Sequence, residues 1–184
     1  MKIAVISDTH GNVANFRKVV GWINKENIRV ILHCGDIGNP ESLKESLEDF
    51  TGEFFGVLGN MDIDYKILID EYNKVPQAKI EEEIFKTEIP SAGSGQVKKI
   101  AVTHKPERAR ILAESGDFDL VFYGHTHKPW EEKIPTKSPS DNKAGKGGCR
   151  MINPGELAGQ FNKPTFAVYE TATDNLELKI LEKL

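Results

Sequence analysis

Five histidines are a small allotment for 184 residues, and two of them stand in Gly124-His125-Thr126-His127, directly after the apolar run Leu120-Val121-Phe122-Tyr123. Neighbouring imidazoles at a strand end have few structural uses; the chemistry they suit is metal ligation. Other ligand-type residues occupy similar settings: Asp8 and His10 after Ile3–Ile6, Asp36 after Val30–Leu32, Asn60 after Phe54–Leu58, and His104 after Lys98–Val102. Asp8-x-His10 and His125-x-His127 have the i, i+2 spacing that points both side chains one way on an extended segment. Gly11, Gly35, Gly59 and Gly124 stand beside these residues, as expected where backbone turns sharply around a bound group. Mixed imidazole and carboxylate ligands suit Mn²⁺, Zn²⁺, Fe or Ni²⁺, whereas Mg²⁺ and Ca²⁺ favour nearly all-oxygen sites. Taken singly, Asp8-x-His10 reads as a helix-start turn, and Asp36 and Asn60 read as ordinary turn residues. It is their joint occurrence at successive strand ends that outweighs the bland readings.

The elements that must gather these residues follow an α/β rhythm. Three apolar strands alternate with helical patterns at Val13, Phe16, Val19, Val20 and Ile23, and at Leu43, Leu47 and Phe50; Asn39-Pro40 supplies an N-cap and first turn for the second helix. Such alternation marks a parallel sheet covered by helices, in which sites form where strand C-termini converge. From Ala78 to Thr87 the alternation suggests one exposed strand, then a glycine-rich turn and a partner strand at Lys98–Val102. A helix is expected near Glu107–Glu114. Residues 133–148, rich in Pro, Ser, Gly and Lys, read as a mobile loop in which Lys143 and Lys146 are solvated, with strand-like segments on both sides. Thr165–Glu170 and Leu176–Leu181 alternate like an antiparallel pair.

Composition narrows the function classes. A net charge of −4 and a sequence pI near 5.8 argue against general nucleic-acid binding, so an anionic substrate must be attracted locally. No apolar segment approaches the roughly 18 residues needed to span a membrane. Cys34 and Cys149 are too few for a disulfide framework, and Cys34 reads as a small core residue. MKIAVISD reaches an aspartate after a short apolar run, unlike a signal peptide, so a cytoplasmic location is expected. The length suits a single domain over 1–184 and leaves assembly into a homo-oligomer open.

Asp8-Thr9-His10, Gly35-Asp36, Gly59-Asn60, Thr103-His104 and Gly124-His125-Thr126-His127 together resemble the ordered motifs of the calcineurin-like metallophosphoesterases, especially their small prokaryotic phosphodiesterase subgroup. The match runs from residue 3 to about 156, ending at Asn153-Pro154-Gly155. The resemblance implies a four-layer α/β/β/α sandwich of two mixed β-sheets flanked by helices. It also implies a dinuclear centre of divalent transition metals, Mn²⁺ first among them, acting on a small phosphoester substrate. Carried over by position, Asp8, His10, Asp36 and His127 would bind one ion, and Asp36, Asn60, His104 and His125 the other, with Asp36 bridging. Two divalent ions outweigh two aspartates and a bridging hydroxide, leaving positive charge to receive the phosphoryl group, which hydroxide attacks in line. Asp36, Asn60 and His127 are thereby expected at the catalytic centre, and Asn12 is expected to hydrogen-bond a phosphate oxygen.

The resemblance has departures. Many relatives carry a histidine after the asparagine, credited with protonating the leaving group; here Met61 stands there, and a thioether donates no proton. Esters with good leaving groups, such as aryl phosphodiesters, are therefore the expected substrates. Asp62 remains as a supporting partner, Thr103 replaces a glycine common in relatives, and the fifth histidine, His33, reads as packed or supporting. A phosphomonoesterase would use the same centre. A protein-interaction scaffold, like the retromer subunit that resembles this family, is the rival reading from another class; retention of all seven ligands favours chemistry.

Overall fold

The computed structural model describes residues 1–62, 65–90, 97–135 and 148–184. In one sheet β1 (Lys2–Ile6), β2 (Val30–His33), β3 (Glu53–Val57) and β4 (Ala78–Glu81) run parallel. β10 (Thr165–Glu170) adds to β1 antiparallel and β11 (Asn175–Ile180) adds to β10, giving the order β11-β10-β1-β2-β3-β4. In the other, β6 (Val97–Thr103), β7 (Leu120–Phe122) and β9 (Cys149–Asn153) are parallel, and β5 (Ile84–Pro90) and β8 (Trp130–Ile134) close the edges antiparallel.

Alternation along the strands sets the layering. Ile3, Val5, Leu32 and Val57 face Ile100, Val102, Leu120 and Phe122, so the two sheets share one apolar layer. The intervening residues Ala4, Ile6, Ile31 and Phe54 turn the other way, onto Phe16, Val19, Val20 and Ile23 of α1 (Val13–Lys25) and Leu43 of α2 (Pro40–Ser46). In the second sheet Ala101 and Val121 turn outward onto Ala109 and Ala113 of α4 (Pro106–Glu114). With α3 (Tyr65–Tyr72) these elements make an α/β/β/α sandwich of two mixed sheets, as expected. Burying one Val, Leu, Ile or Phe side chain is worth about 1.5–3 kcal/mol, and a one-residue slip would exchange the faces of a whole strand, so register is pinned.

Local signals explain most boundaries. Asn12 caps α1 by accepting the Asn15 amide (3.1 Å), and Asn39 forms a capping box with Ser42 before Pro40. The second helix is shorter than its apolar pattern suggests. It ends at Ser46, whose hydroxyl bonds back to the Ser42 carbonyl (2.7 Å), while Leu47 and Phe50 are buried in the turn beyond. The expected exposed strand from Ala78 to Thr87 is two strands, broken at Glu82-Glu83: β4 belongs to the first sheet and β5 to the second. Ile80 and Phe85 are both buried although they are an odd number of residues apart, which one continuous strand cannot achieve beside a single core. The chain therefore changes sheets between them. The glycine-rich turn (91–96) and Lys143 and Lys146 lie outside the described residues. Among the described residues, no helix is long and apolar enough to cross a membrane.

Candidate metal centre

All the ligand-type residues follow the C-terminal ends of β1, β2, β3, β6 and β7. Backbone bonds between these loops hold them together: Asp8 N–H donates to Gly35 O (3.0 Å), His10 N–H to Asp36 O (2.9 Å) and Gly124 N–H to His104 O (3.1 Å). The side chains are not aimed by extended backbone, as the i, i+2 spacing suggested. Asp8, His10, Asp36, His125 and His127 have φ of 50°, 47°, 55°, 70° and 60°, the left-handed region. Each such residue costs on the order of 1 kcal/mol and persists where surrounding bonds impose it, typically at functional sites. Gly59 and Gly124 serve close approach instead: a Cβ would strike the Asp36 carboxylate at Gly59, and Ser7 and Asp8 at Gly124.

Donor atoms of Asp8, His10, Asp36 and His127 all lie within 4.8 Å of one another. An ion with bonds of about 2.1 Å keeps its ligands roughly 3–4.2 Å apart. His10 Nε2 to His127 Nε2 is 3.4 Å, His127 Nε2 to Asp8 Oδ1 is 3.4 Å, and His10 Nε2 to Asp36 Oδ2 is 3.8 Å, so the set fits one cation. A second convergence adjoins it. Asn60 Oδ1 is 2.9 Å from His104 Nε2 and 2.8 Å from His125 Nδ1, and His104 Nε2 is 3.5 Å from Asp36 Oδ2. The same Asp36 oxygen thus faces both groups. All seven side chains picked out as ligands come together.

Supporting bonds decide which ring atoms face inward. His104 Nδ1 donates to the Cys34 carbonyl (2.8 Å), leaving Nε2 with a lone pair toward the site. His127 Nδ1 donates to Glu156 Oε2 (3.0 Å), with the same result. Glu156 is fully buried; burial works to raise its pKa, but backbone N–H donors from Asn162, Phe161 and Gln160, together with His127, hold it below the usual carboxylate range. Sequence reasoning missed Glu156. Its signal was a lone acid in the uncharged stretch Met151–Ala158, next to Asn153-Pro154-Gly155.

His33, read as packed or supporting, is buried and accepts the Gly35 N–H at Nδ1 (3.2 Å) while Nε2 meets Thr9 Oγ1 (2.6 Å). Burial foremost, with His104 and His10 nearby, lowers its pKa to about 3, so it stays neutral and ties the Asp36 turn to the Asp8–His10 turn. Asp62 accepts N–H bonds from Gly59 (2.7 Å), Gly38 (3.0 Å) and Ile37 (3.3 Å), joining the Asn60 and Asp36 loops. Asn12, read as a phosphate ligand, has its carbonyl in the α1 cap and an amide hydrogen on Ala158 O (2.9 Å), so it is engaged within the fold.

Electrostatics favour a cation. Asp8 is fully buried, and burial foremost raises its pKa to about 7, despite bonds from the Ser7 hydroxyl (2.5 Å) and the His125 amide. Burial foremost also lowers the pKa of His10 and His104, keeping the imidazoles in the neutral form that ligates metal. A carboxylate short of positive charge beside unprotonated imidazoles is a donor set that a divalent ion would satisfy.

A sequence model described as the calcineurin-like phosphoesterase superfamily domain matches residues 1–174. The chain belongs to that superfamily. Members of this metallophosphoesterase family use divalent metals, and the Asp and His cluster is this chain's candidate site for one. Phosphodiesterase MJ0936 of Methanocaldococcus jannaschii is 28% identical over 185 residues, covering 99% of this chain and 100% of that protein. The solved structure of a novel archaeal phosphodiesterase superposes with a TM-score of 0.79 at 27% identity, covering 98% of this chain and 99% of the other. Vps29 of Entamoeba histolytica, solved with zinc, gives a TM-score of 0.61 at 18% identity over 98% and 99% of the two chains; that likeness concerns fold alone.

Proposed function

We propose that the protein is a phosphodiesterase whose centre holds two divalent transition-metal ions, Mn²⁺ being the first choice, with Asp36 shared between them. The observation that carries this reading is the position of Asp36 Oδ2, 3.8 Å from His10 Nε2 and 3.5 Å from His104 Nε2. Further support comes from the superfamily match and from the likeness to a curated phosphodiesterase sequence and to a solved archaeal phosphodiesterase structure, each over nearly the whole chain.

When bound, two such ions would supply a hydroxide nucleophile at neutral pH, lowering the pKa of water to about 7, and would neutralise charge on the phosphoryl oxygens. The chain's own residues do the rest. Asp8, His10, Asp36 and His127 hold one side of the centre, Asn60, His104 and His125 the other. Glu156 and Cys34 O keep His127 and His104 in the tautomers that aim Nε2 inward. Asp36, set in a left-handed turn and receiving the Met61 N–H at Oδ1 (2.7 Å), keeps Oδ2 toward both groups. Met61 offers no proton for the departing alkoxide, so good leaving groups are favoured.

The test is hydrolysis of bis(p-nitrophenyl) phosphate beside p-nitrophenyl phosphate with added Mn²⁺ or Ni²⁺. The expected result is metal-dependent turnover, faster on the diester and slow on alkyl diesters, and loss of at least about 10³-fold on Asp36→Asn. Faster turnover of the monoester would make the same centre a phosphomonoesterase. Absence of turnover with either metal would favour a scaffold.

A further inference from the structure

Phe161 is 78% exposed, yet it is not on a loose segment. The buried Glu156 carboxylate accepts the backbone N–H groups of Gln160 (3.0 Å), Phe161 (2.8 Å) and Asn162, and the Asn162 amide donates to His127 O (3.1 Å). The Phe161 ring lies 5.1 Å from the His127 ring, edge to face, with planes at 73°. A large apolar ring is thus held in water beside a candidate ligand by backbone bonds that leave the loop little freedom to fold it away, forfeiting most of the gain from burying it. The other ligand group carries a counterpart: Met61, 54% exposed, follows Asn60, and its N–H is fixed on Asp36.

We infer that Phe161 is a substrate-recognition residue against which a flat aromatic ring, carried on an ester arm of the phosphoryl substrate, packs at the edge of the metal centre. The inference rests on the phosphoester reading above. A flat ring is the occupant that gains most here, because one exposed aromatic side chain suffices for stacking, whereas an alkyl arm needs enclosing walls. An aryl ester places the ring next to phosphorus; a nucleotide places it one ribose away.

Binding to manganese-loaded protein by calorimetry separates these cases through two ratios: phenylphosphonate against methylphosphonate, and adenosine 5′-monophosphate against ribose 5-phosphate. The wild type is expected to favour the ring-bearing member of one pair about tenfold. Phe161→Ala should bring that ratio to about one, and Phe161→Tyr should keep it. The phenyl pair would assign an aryl arm, and the adenosine pair a nucleobase. A ratio near one in both pairs for wild type, or one that survives Phe161→Ala, overturns the inference while leaving the phosphoester reading intact. Failure of all four probes to bind wild type overturns both.

Discussion

The two candidate ligand groups meet at Asp36 but are built differently. Asp8, His10, Asp36 and His127 bring two carboxylates and two imidazoles, with both carboxylates buried and His127 braced by Glu156. Asn60, His104 and His125 add to the shared carboxylate a neutral amide and two imidazoles, and of these Asn60 and His125 are exposed while His104 is buried against Cys34 O. More negative charge in a lower-dielectric setting attracts a cation more strongly. The first group should therefore hold its ion more tightly, and the second should exchange its ion with solvent.

The sharpest way to break this comparison is Glu156→Gln. An amide oxygen in the place of Oε2 can still accept from His127 Nδ1 and the Gln160 N–H, but the NH₂ in the place of Oε1 would face the N–H donors of Phe161 and Asn162. Losing the carboxylate that braces a ligand histidine typically costs 10- to 100-fold in metal affinity. Manganese titration should show that loss in the tighter step alone. Equal weakening of both steps would mean that the groups are not distinct.

A smaller effect separates the groups by pH. Burial raises the Asp8 pKa to about 7, so below that pH the metal-free protein carries a proton there that the ion must displace. The sign follows: affinity for the first ion falls about tenfold per unit as pH drops below about 7, with up to one proton released, and is flat with respect to Asp8 well above it. Calorimetry in buffers of different ionisation enthalpy at pH 6 and pH 8.5 measures this directly. Proton release confined to the weaker step would reverse the assignment.

Much of this centre was legible in the sequence because it is local chemistry at strand ends: five apolar runs, each closed by a cluster with a ligand-type residue. The sandwich was legible through the resemblance, and β10 and β11 through their alternation. What was not legible depended on distant partners. Left-handed φ at Asp8 and His10 is imposed by bonds to Gly35 and Asp36, not by the spacing of the pair. The α1 cap takes up the Asn12 carbonyl, and one hydrogen of its amide goes to a carbonyl 146 residues away, a tertiary contact. Glu156 gains its meaning from His127 and a loop that folds around it, and the lapse in alternation at Glu81-Glu82-Glu83 before Ile84-Phe85 marks a break without saying that the two halves join different sheets.

The central claim is that one carboxylate serves two cations. Crystals grown with manganese and measured by anomalous scattering should show two peaks, about 3.5–4 Å apart, on either side of Asp36 Oδ2, with His10 and His127 at one and His104 and His125 at the other. A lone peak at full manganese saturation, or two peaks with Asp36 bound to neither or to one, would contradict it.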